Sequence, residues 1–89
     1  MVRKYRSPEE TALGRSLGQE LQRQRHGRTA EAIAQSAGVS LDTLRRVERG
    51  AVASPGFFLV GQIAQVLDVS LDDLFRATKN NAKPEVQSS

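Results

Sequence analysis

The side chains able to do chemistry in this 89-residue sequence are mainly basic, and they are concentrated in its first half. Residues 1–50 hold ten Lys and Arg against six Asp and Glu, whereas residues 51–89 hold three against four. The whole chain has a formal charge of +3, so the placement of the charge is more informative than its size. This distribution indicates that a partner carrying phosphates would meet the first half of the chain.

Few side chains in this sequence are suited to catalysis or to metal binding. Cysteine is absent and His26 is the single histidine, so the sequence holds no thiolate nucleophile, no Cys/His zinc set and no Ser–His–Asp relay. Asp72 and Asp73 are interpreted as the first-turn acids of a helix, since no second carboxylate pair accompanies them for acid–base catalysis. We predict that the chain is not an enzyme and uses neither a metal nor a cofactor.

Length and composition indicate one small intracellular domain. A secreted domain of this size would normally need disulfides, which this sequence cannot form. The first seven residues lack the apolar stretch of a signal peptide, and no apolar run approaches the roughly 18 residues of a membrane span. We expect a cytoplasmic protein with no membrane segment.

Capping residues divide the sequence into five short helices. A hydroxyl residue precedes each apolar periodic stretch, and at two of the five starts a proline follows it at the first helical position. The predicted caps are Ser7, Thr29, Ser40, Ser54 and Ser70, and the predicted terminating glycines are Gly27, Gly38 and Gly50. No segment alternates as a strand would, so the predicted fold class is all-α.

The predicted helical domain spans residues 8–77. A flexible basic arm over residues 1–7 precedes it, and a polar, disordered tail over residues 78–89 follows it. The fifth helix is expected to be short and to bury its apolar residues, and two aromatic residues of the fourth are assigned to the core or to dimer contacts. The residues concerned are Leu71, Leu74 and Phe75 in the fifth helix, and Phe57 and Phe58 in the fourth.

The most specific spacing lies in the predicted second and third helices. Ala34 is small enough to let the next helix approach, and Gly38 stands where the turn needs a positive φ. Leu44 and Val47 are three residues apart and would seat the third helix on the core. This spacing predicts a helix-turn-helix, whose second helix presents its outer face to the major groove of DNA.

Two segments resemble the phage-repressor (XRE/Cro-like) helix-turn-helix family. They are A-I-A-Q-S-A-G-V-S-L-D-T-L-R-R-V-E-R-G, residues 32–50, and I-A-Q-V-L-D-V-S-L-D-D-L-F, residues 63–75. The resemblance covers residues 13–75. Within the family, the sequence looks most similar to small regulators from actinobacteria. The resemblance implies a compact five-helix lambda-repressor-like domain with its helix-turn-helix at helices 2 and 3. The implied function is regulation of transcription by binding of double-stranded DNA.

The resemblance also implies two groups of DNA contacts around a recognition helix over residues 41–49. Arg46 is the best candidate for base readout, because arginine can fork onto guanine O6 and N7. Leu41 could contact a thymine methyl, and Asp42 either accepts from cytosine N4 or supports its own helix start, which we favour. The base-readout candidates are Leu41, Asp42, Arg45 and Arg46, although Arg45 is better suited to a phosphate. The phosphate candidates are Arg28, Thr29, Ser40, Thr43 and Arg49.

An ion pair is implied for Glu48, an acid among arginines. In the family this glutamate pairs with an arginine at the end of the first helix, and the candidates here are Arg25 and Arg23. Arg25 is preferred because it follows Leu21 by four residues, on the inward face. Breaking such a buried pair commonly costs about 3–5 kcal/mol, so the pair is expected to serve folding rather than readout.

Two departures from the family pattern predict modest DNA affinity. Ala30 stands where the family often has a phosphate-binding glutamine, and residues 51–53 replace the basic residues that often follow the recognition helix. The arm residues Arg3, Lys4 and Arg6 could compensate by following the DNA backbone or entering a minor groove.

Two further kinds of partner follow from these departures. A homodimer on a palindromic operator would restore affinity by reading two half-sites. The alternative function is a protein-interaction module of the same fold, an antitoxin or adaptor, with DNA binding secondary. The apolar segment A-V-A-S-P-G-F-F favours that alternative, and the arginines at 45, 46 and 49 oppose it.

Overall fold

The computed structural model describes residues 7–52 and 54–82, and they form five helices with no strand. The helices are α1 (Pro8–Gln24), α2 (Ala30–Ala37), α3 (Leu41–Glu48), α4 (Phe57–Leu67) and α5 (Leu71–Ala82). The predicted all-α, five-helix fold is therefore confirmed. Residues 1–6 of the predicted arm (residues 1–7) and residues 83–89 of the predicted tail (residues 78–89) lie outside the described residues. Over the two described ranges, no helix has the length and apolarity needed to cross a membrane.

Four of the five predicted helix caps are confirmed. Ser7 and Glu10 form a reciprocal capping box, in which each side chain accepts a hydrogen bond of 3.0 Å from the other residue's backbone N–H. The other three caps accept from the backbone N–H three residues later, and the predicted glycines have φ values of 88°, 74° and 76°. These caps are Thr29, Ser40 and Ser70, and the glycines are Gly27, Gly38 and Gly50.

The predicted start of α4 at Ser54-Pro55 is wrong. Gly56 is the N-cap, Phe57 is the first helical residue, and no side chain caps the helix. Ser54 and Pro55 lie before the helix, so the hydroxyl-then-proline pattern marks the approach to α4 and not its first residue.

The core is formed by one apolar face from each helix. α1 packs against α3 and α5, while α2 packs against α3 and α4. Leu21, Ile33, Leu44, Val47 and Ile63 are the largest fully buried side chains. Since α3 is held between α1 and α2, its orientation is fixed by both neighbours.

α5 differs from its predicted form in length and in burial. It continues to Ala82, five residues past the predicted boundary, because Thr78 is buried against α1 and its carbonyl accepts a 2.8 Å hydrogen bond from Ser16 Oγ. Of the apolar residues expected to be buried, only Leu74 is, since no other described helix covers that side of α5. The exposed large apolar residues of α4 and α5 together form a surface that we call the aromatic face: Phe57, Phe58, Leu71 and Phe75.

Candidate nucleic-acid interface

A three-residue turn fixes the angle between α2 and α3. Gly38 takes the left-handed conformation and ends α2, and the Val39 N–H donates to the Ala34 carbonyl at 3.0 Å. Ala34 is 3% exposed and belongs to the same core as Leu44 and Val47 of α3. Val39 then packs on the core, and Ser40 starts α3.

α3 has one buried face and one charged, exposed face. Leu44 and Val47 are buried, and Leu41 packs partly against the same core. On the opposite side, four side chains of this helix and its C-cap are exposed: Asp42, Arg45, Arg46 and Arg49. The outer face thus offers three guanidinium groups and one carboxylate to a partner.

The end of α3 is held directly against the backbone of α1. A Cβ added to Gly18 would lie 2.4 Å from the Glu48 carbonyl oxygen and 2.5 Å from that of Val47. Gln22 Nε2 donates to the same Glu48 oxygen at 3.0 Å, and a Cβ on Gly50 would lie 2.8 Å from Arg15 Cα. Sequence reasoning missed Gln22, because its polar side chain carries no signal of its partner.

Glu48 lies beside Arg25 beneath this contact. Arg25 Nε and Glu48 Oε2 are 3.2 Å apart, but the two atoms do not meet the geometry of a hydrogen bond. Burial raises the pKa of Glu48, and the charges of Arg25 and Arg45 offset this only in part. Burial of the Glu48 carboxylate in this pair therefore has a cost in desolvation free energy.

Arg23, the other arginine considered for Glu48, pairs with Glu20 on its own helix. Burial of Glu20 raises its pKa, but hydrogen bonds from Gln24 and Arg23, with the charge of Arg23, outweigh burial and hold that pKa below its ordinary value. Arg23 is thus directed away from the end of α3.

Two of the three hydroxyl groups predicted to contact phosphates, those of Thr29 and Ser40, serve as helix caps. Thr29 Oγ1 accepts from the Ala32 N–H at 3.1 Å, and Ser40 Oγ accepts from the Thr43 N–H at 3.0 Å. Ser40 Oγ also donates to Thr43 Oγ1 at 2.8 Å. The protons of the Thr29 and Thr43 hydroxyls remain available to a phosphate, whereas that of Ser40 is already engaged.

Arg28, another predicted phosphate contact, lies against backbone carbonyls. Its Nη1 donates to Val66 O near the end of α4, and its Nε donates to Arg25 O, both at 3.4 Å. Such long hydrogen bonds are weak, and the side chain is exposed. Arg28 is therefore positioned to bridge α1 and α4 as well as to meet an anion.

The arginines of α3 differ in their partners. Arg45 Nη2 lies 3.4 Å from Glu31 Oε2 on α2, and both side chains are more than half exposed. Arg46 and Arg49 make no ion pair with any residue in the ranges 7–52 and 54–82. The outer face thus carries two uncommitted guanidinium groups and one that is partly neutralised.

The order of these elements is matched by a known family. A family model described as Helix-turn-helix (HTH_3) matches residues 20–74, which include the last part of α1, the α2–turn–α3 unit, α4 and the start of α5. No curated protein matches the chain. HTH_3 is a family of DNA-binding regulatory domains. The chain belongs to this XRE/lambda-repressor-like helix-turn-helix family.

Proposed function

We propose that the protein is a sequence-specific regulator of transcription that places α3 in the major groove of double-stranded DNA. The observation that carries this proposal is the exposed row Arg45, Arg46 and Arg49 on a helix whose opposite face and end are fixed by the core and α1. A rigid helix with outward guanidinium groups suits readout of base edges, since such contacts need defined positions. We place this action in the cytoplasm, on the DNA of a bacterial cell.

Arg46 is the residue we assign to base readout, because it is exposed and unpaired within the described part of the chain. Arg49, with the Thr29 and Thr43 hydroxyls, would contact phosphates, and the backbone N–H groups at the start of α2 would add to them. Ala30 is buried at that start and has no polar side chain to contribute. Asp42 supports the start of its own helix.

The experiment is selection of bound sequences from a random duplex pool, followed by affinity measurements on Arg46→Ala. We expect Arg46→Ala to cost about 1–3 kcal/mol on the selected duplex and to relax base preference at one position. The matched control is Arg15→Ala, which removes the same charge from an exposed side chain of α1. An Arg46 variant with unchanged affinity and unchanged base preference would remove this residue from the readout.

We further propose that two copies pair through the aromatic face. Phe57, Phe58 and Phe75 are 67%, 79% and 62% exposed, and the groove between α4 and α5 beside them is lined by Leu17, Val60 and Leu74. A second copy suits this surface because α5 has Asp72 and Asp73 at its start and Arg76 and Lys79 farther along. A two-fold axis would set the acidic start of one α5 opposite the basic part of the other.

The available area predicts a weak dimer. A phenylalanine side chain offers about 150–250 Å², so the aromatic face presents on the order of 500 Å² per copy. Two such faces would bury about 1,000 Å², near the lower limit of specific interfaces. Pairing of this strength would be completed on DNA, where two half-sites about 34 Å apart hold both copies.

Sedimentation equilibrium and duplex binding test this arrangement on the whole chain and on Phe75→Ser, a change at an exposed position. We expect concentration-dependent dimers and a palindromic selected sequence for the native chain, and monomers with weaker, non-cooperative binding for the variant. A native protein that stays monomeric on a single half-site would contradict the dimer.

The same uncovered face favours a second candidate function, a protein-interaction module such as an antitoxin or adaptor. That function predicts no salt-sensitive binding to any duplex, together with a defined protein partner whose binding is lost in Phe75→Ser. DNA binding through phosphates instead predicts affinity that falls linearly with salt on logarithmic axes.

A further inference from the structure

We propose that Glu31 restrains DNA binding by holding Arg45 in an ion pair that must open when DNA arrives. This inference rests on the proposed function. The two side chains reach across the helix-turn-helix, with Glu31 Oε2 in the first turn of α2 and Arg45 Nη2 on the outer face of α3, 3.4 Å apart. Their side chains are 63% and 52% exposed, so a phosphate could reach the guanidinium once the pair opens.

The negative charge that Glu31 brings to the start of α2 opposes DNA binding. Glu31 is the only charged residue among the eight of α2, and it stands at the helix start. That start carries the positive end of the helix dipole and unpaired N–H groups, which otherwise attract phosphates. The Glu31 carboxylate therefore has two effects. It neutralises part of the positive charge of Arg45, and it repels the DNA phosphates that the start of α2 would approach.

The restraint would act on phosphate contacts rather than on base readout. A guanidinium already paired with a carboxylate contributes less to the release of counterions from DNA, so the native protein should show a shallow salt dependence. Phosphate contacts carry no sequence information directly. Glu31 should thus lower the affinity for specific and non-specific duplexes by the same factor and leave base preference unchanged.

The test compares Glu31→Gln with Glu9→Gln by fluorescence anisotropy on two duplexes of about 20 base pairs. One duplex carries the selected sequence and the other a mixed sequence. Glu9→Gln is the matched control, because it removes the same charge by the same substitution from an exposed acid in the first turn of α1. Arg45→Ala and the double variant Glu31→Gln/Arg45→Ala complete a cycle that isolates the pair.

We expect Glu31→Gln to bind both duplexes roughly threefold to tenfold more tightly at about 0.1 M salt, with a logarithmic salt slope steeper by up to about one. Glu9→Gln should bind both duplexes with nearly the same affinity as the native protein. In the Arg45→Ala background the gain from Glu31→Gln should fall to less than half.

Three results would overturn the inference. A Glu31→Gln variant with the same affinity as Glu9→Gln would contradict the restraint, while a gain in affinity that is undiminished in Arg45→Ala would contradict the role of the pair. In either case a loss of binding in Arg46→Ala would leave the proposed function intact. If the native chain and Glu31→Gln both fail to bind any duplex, the proposed function and this inference fall together.

Discussion

Replacing Gly18 with alanine tests the contact that fixes the end of α3 against α1. The added methyl would lie 2.4 Å from the Glu48 carbonyl oxygen and 2.5 Å from the Val47 carbonyl oxygen. Both atoms belong to the backbone, so no side-chain rotation can relieve the collision, and the two helices must move apart. The Gln22 hydrogen bond to the Glu48 oxygen would lengthen with the same movement.

The expected magnitude is the balance of two effects. Alanine in place of a helical glycine gains about 1 kcal/mol through helix propensity. Overpacking typically costs about 1–3 kcal/mol, and a collision with backbone belongs at or above the upper end of that range. We therefore expect Gly18→Ala to lower the free energy of unfolding by about 2 kcal/mol, which corresponds to a fall in Tm of roughly 10 °C for a domain of this size.

Gly61→Ala is the matched control for this measurement. Gly61 is also helical, but no atom beyond its own helix backbone and chain neighbours lies within 4 Å of an added Cβ, so this variant should gain about 0.5–1 kcal/mol. Both variants would be unfolded in urea and followed by circular dichroism at a concentration where the chain is monomeric. Equal stabilisation of the two variants would refute the close approach at Gly18.

Two further predictions concern buried polar groups. Because burial raises the pKa of Glu48 above its ordinary value of 4.5, the folded state binds its proton more tightly than the unfolded state does. The stability of the native chain relative to Glu48→Gln should therefore rise as the pH falls from 7 through the raised pKa. Urea unfolding at each pH measures this difference, and a relative stability that falls with the pH would contradict the burial effect. Ser16→Ala removes the buried hydrogen bond to the Thr78 carbonyl and should cost about 1 kcal/mol relative to Ser36→Ala, an exposed serine on α2. Unfolding midpoints that agree for the two serine variants would show that this bond contributes nothing.

Local patterns predicted the helix-turn-helix well, because caps and turns depend on residues a few positions apart. Ser40 and Thr43 form a cap within one helical turn, and Gly38 alone supplies the conformation that ends α2. The Ser54-Pro55 pattern placed the start of α4 two residues too early, because α4 begins at Phe57 after the N-cap Gly56.

Contacts between distant residues could not be predicted in the same way. The Gln22 bond to Glu48 spans 26 positions and the Arg45 bond to Glu31 spans 14, so both depend on how the helices cross. The exposure of Phe75 has a similar cause, because periodicity marks an apolar face without saying whether another helix covers it. The length of α5 likewise depended on the packing of Thr78 against α1.

The close contact between α1 and α3 has a consequence for redesign. The orientation of α3 depends on Gly18, Gly50 and the buried Leu44 and Val47, none of which belongs to the outer face. Under the proposed function, substitution of Arg46 would change base preference and substitution of Arg45 or Arg49 would change phosphate contacts, while the docking angle of α3 stays in place. The residues that orient α3 are separate from those of its exposed face, so a library at Asp42, Arg45, Arg46 and Arg49 would test which of these positions set specificity on an unchanged scaffold.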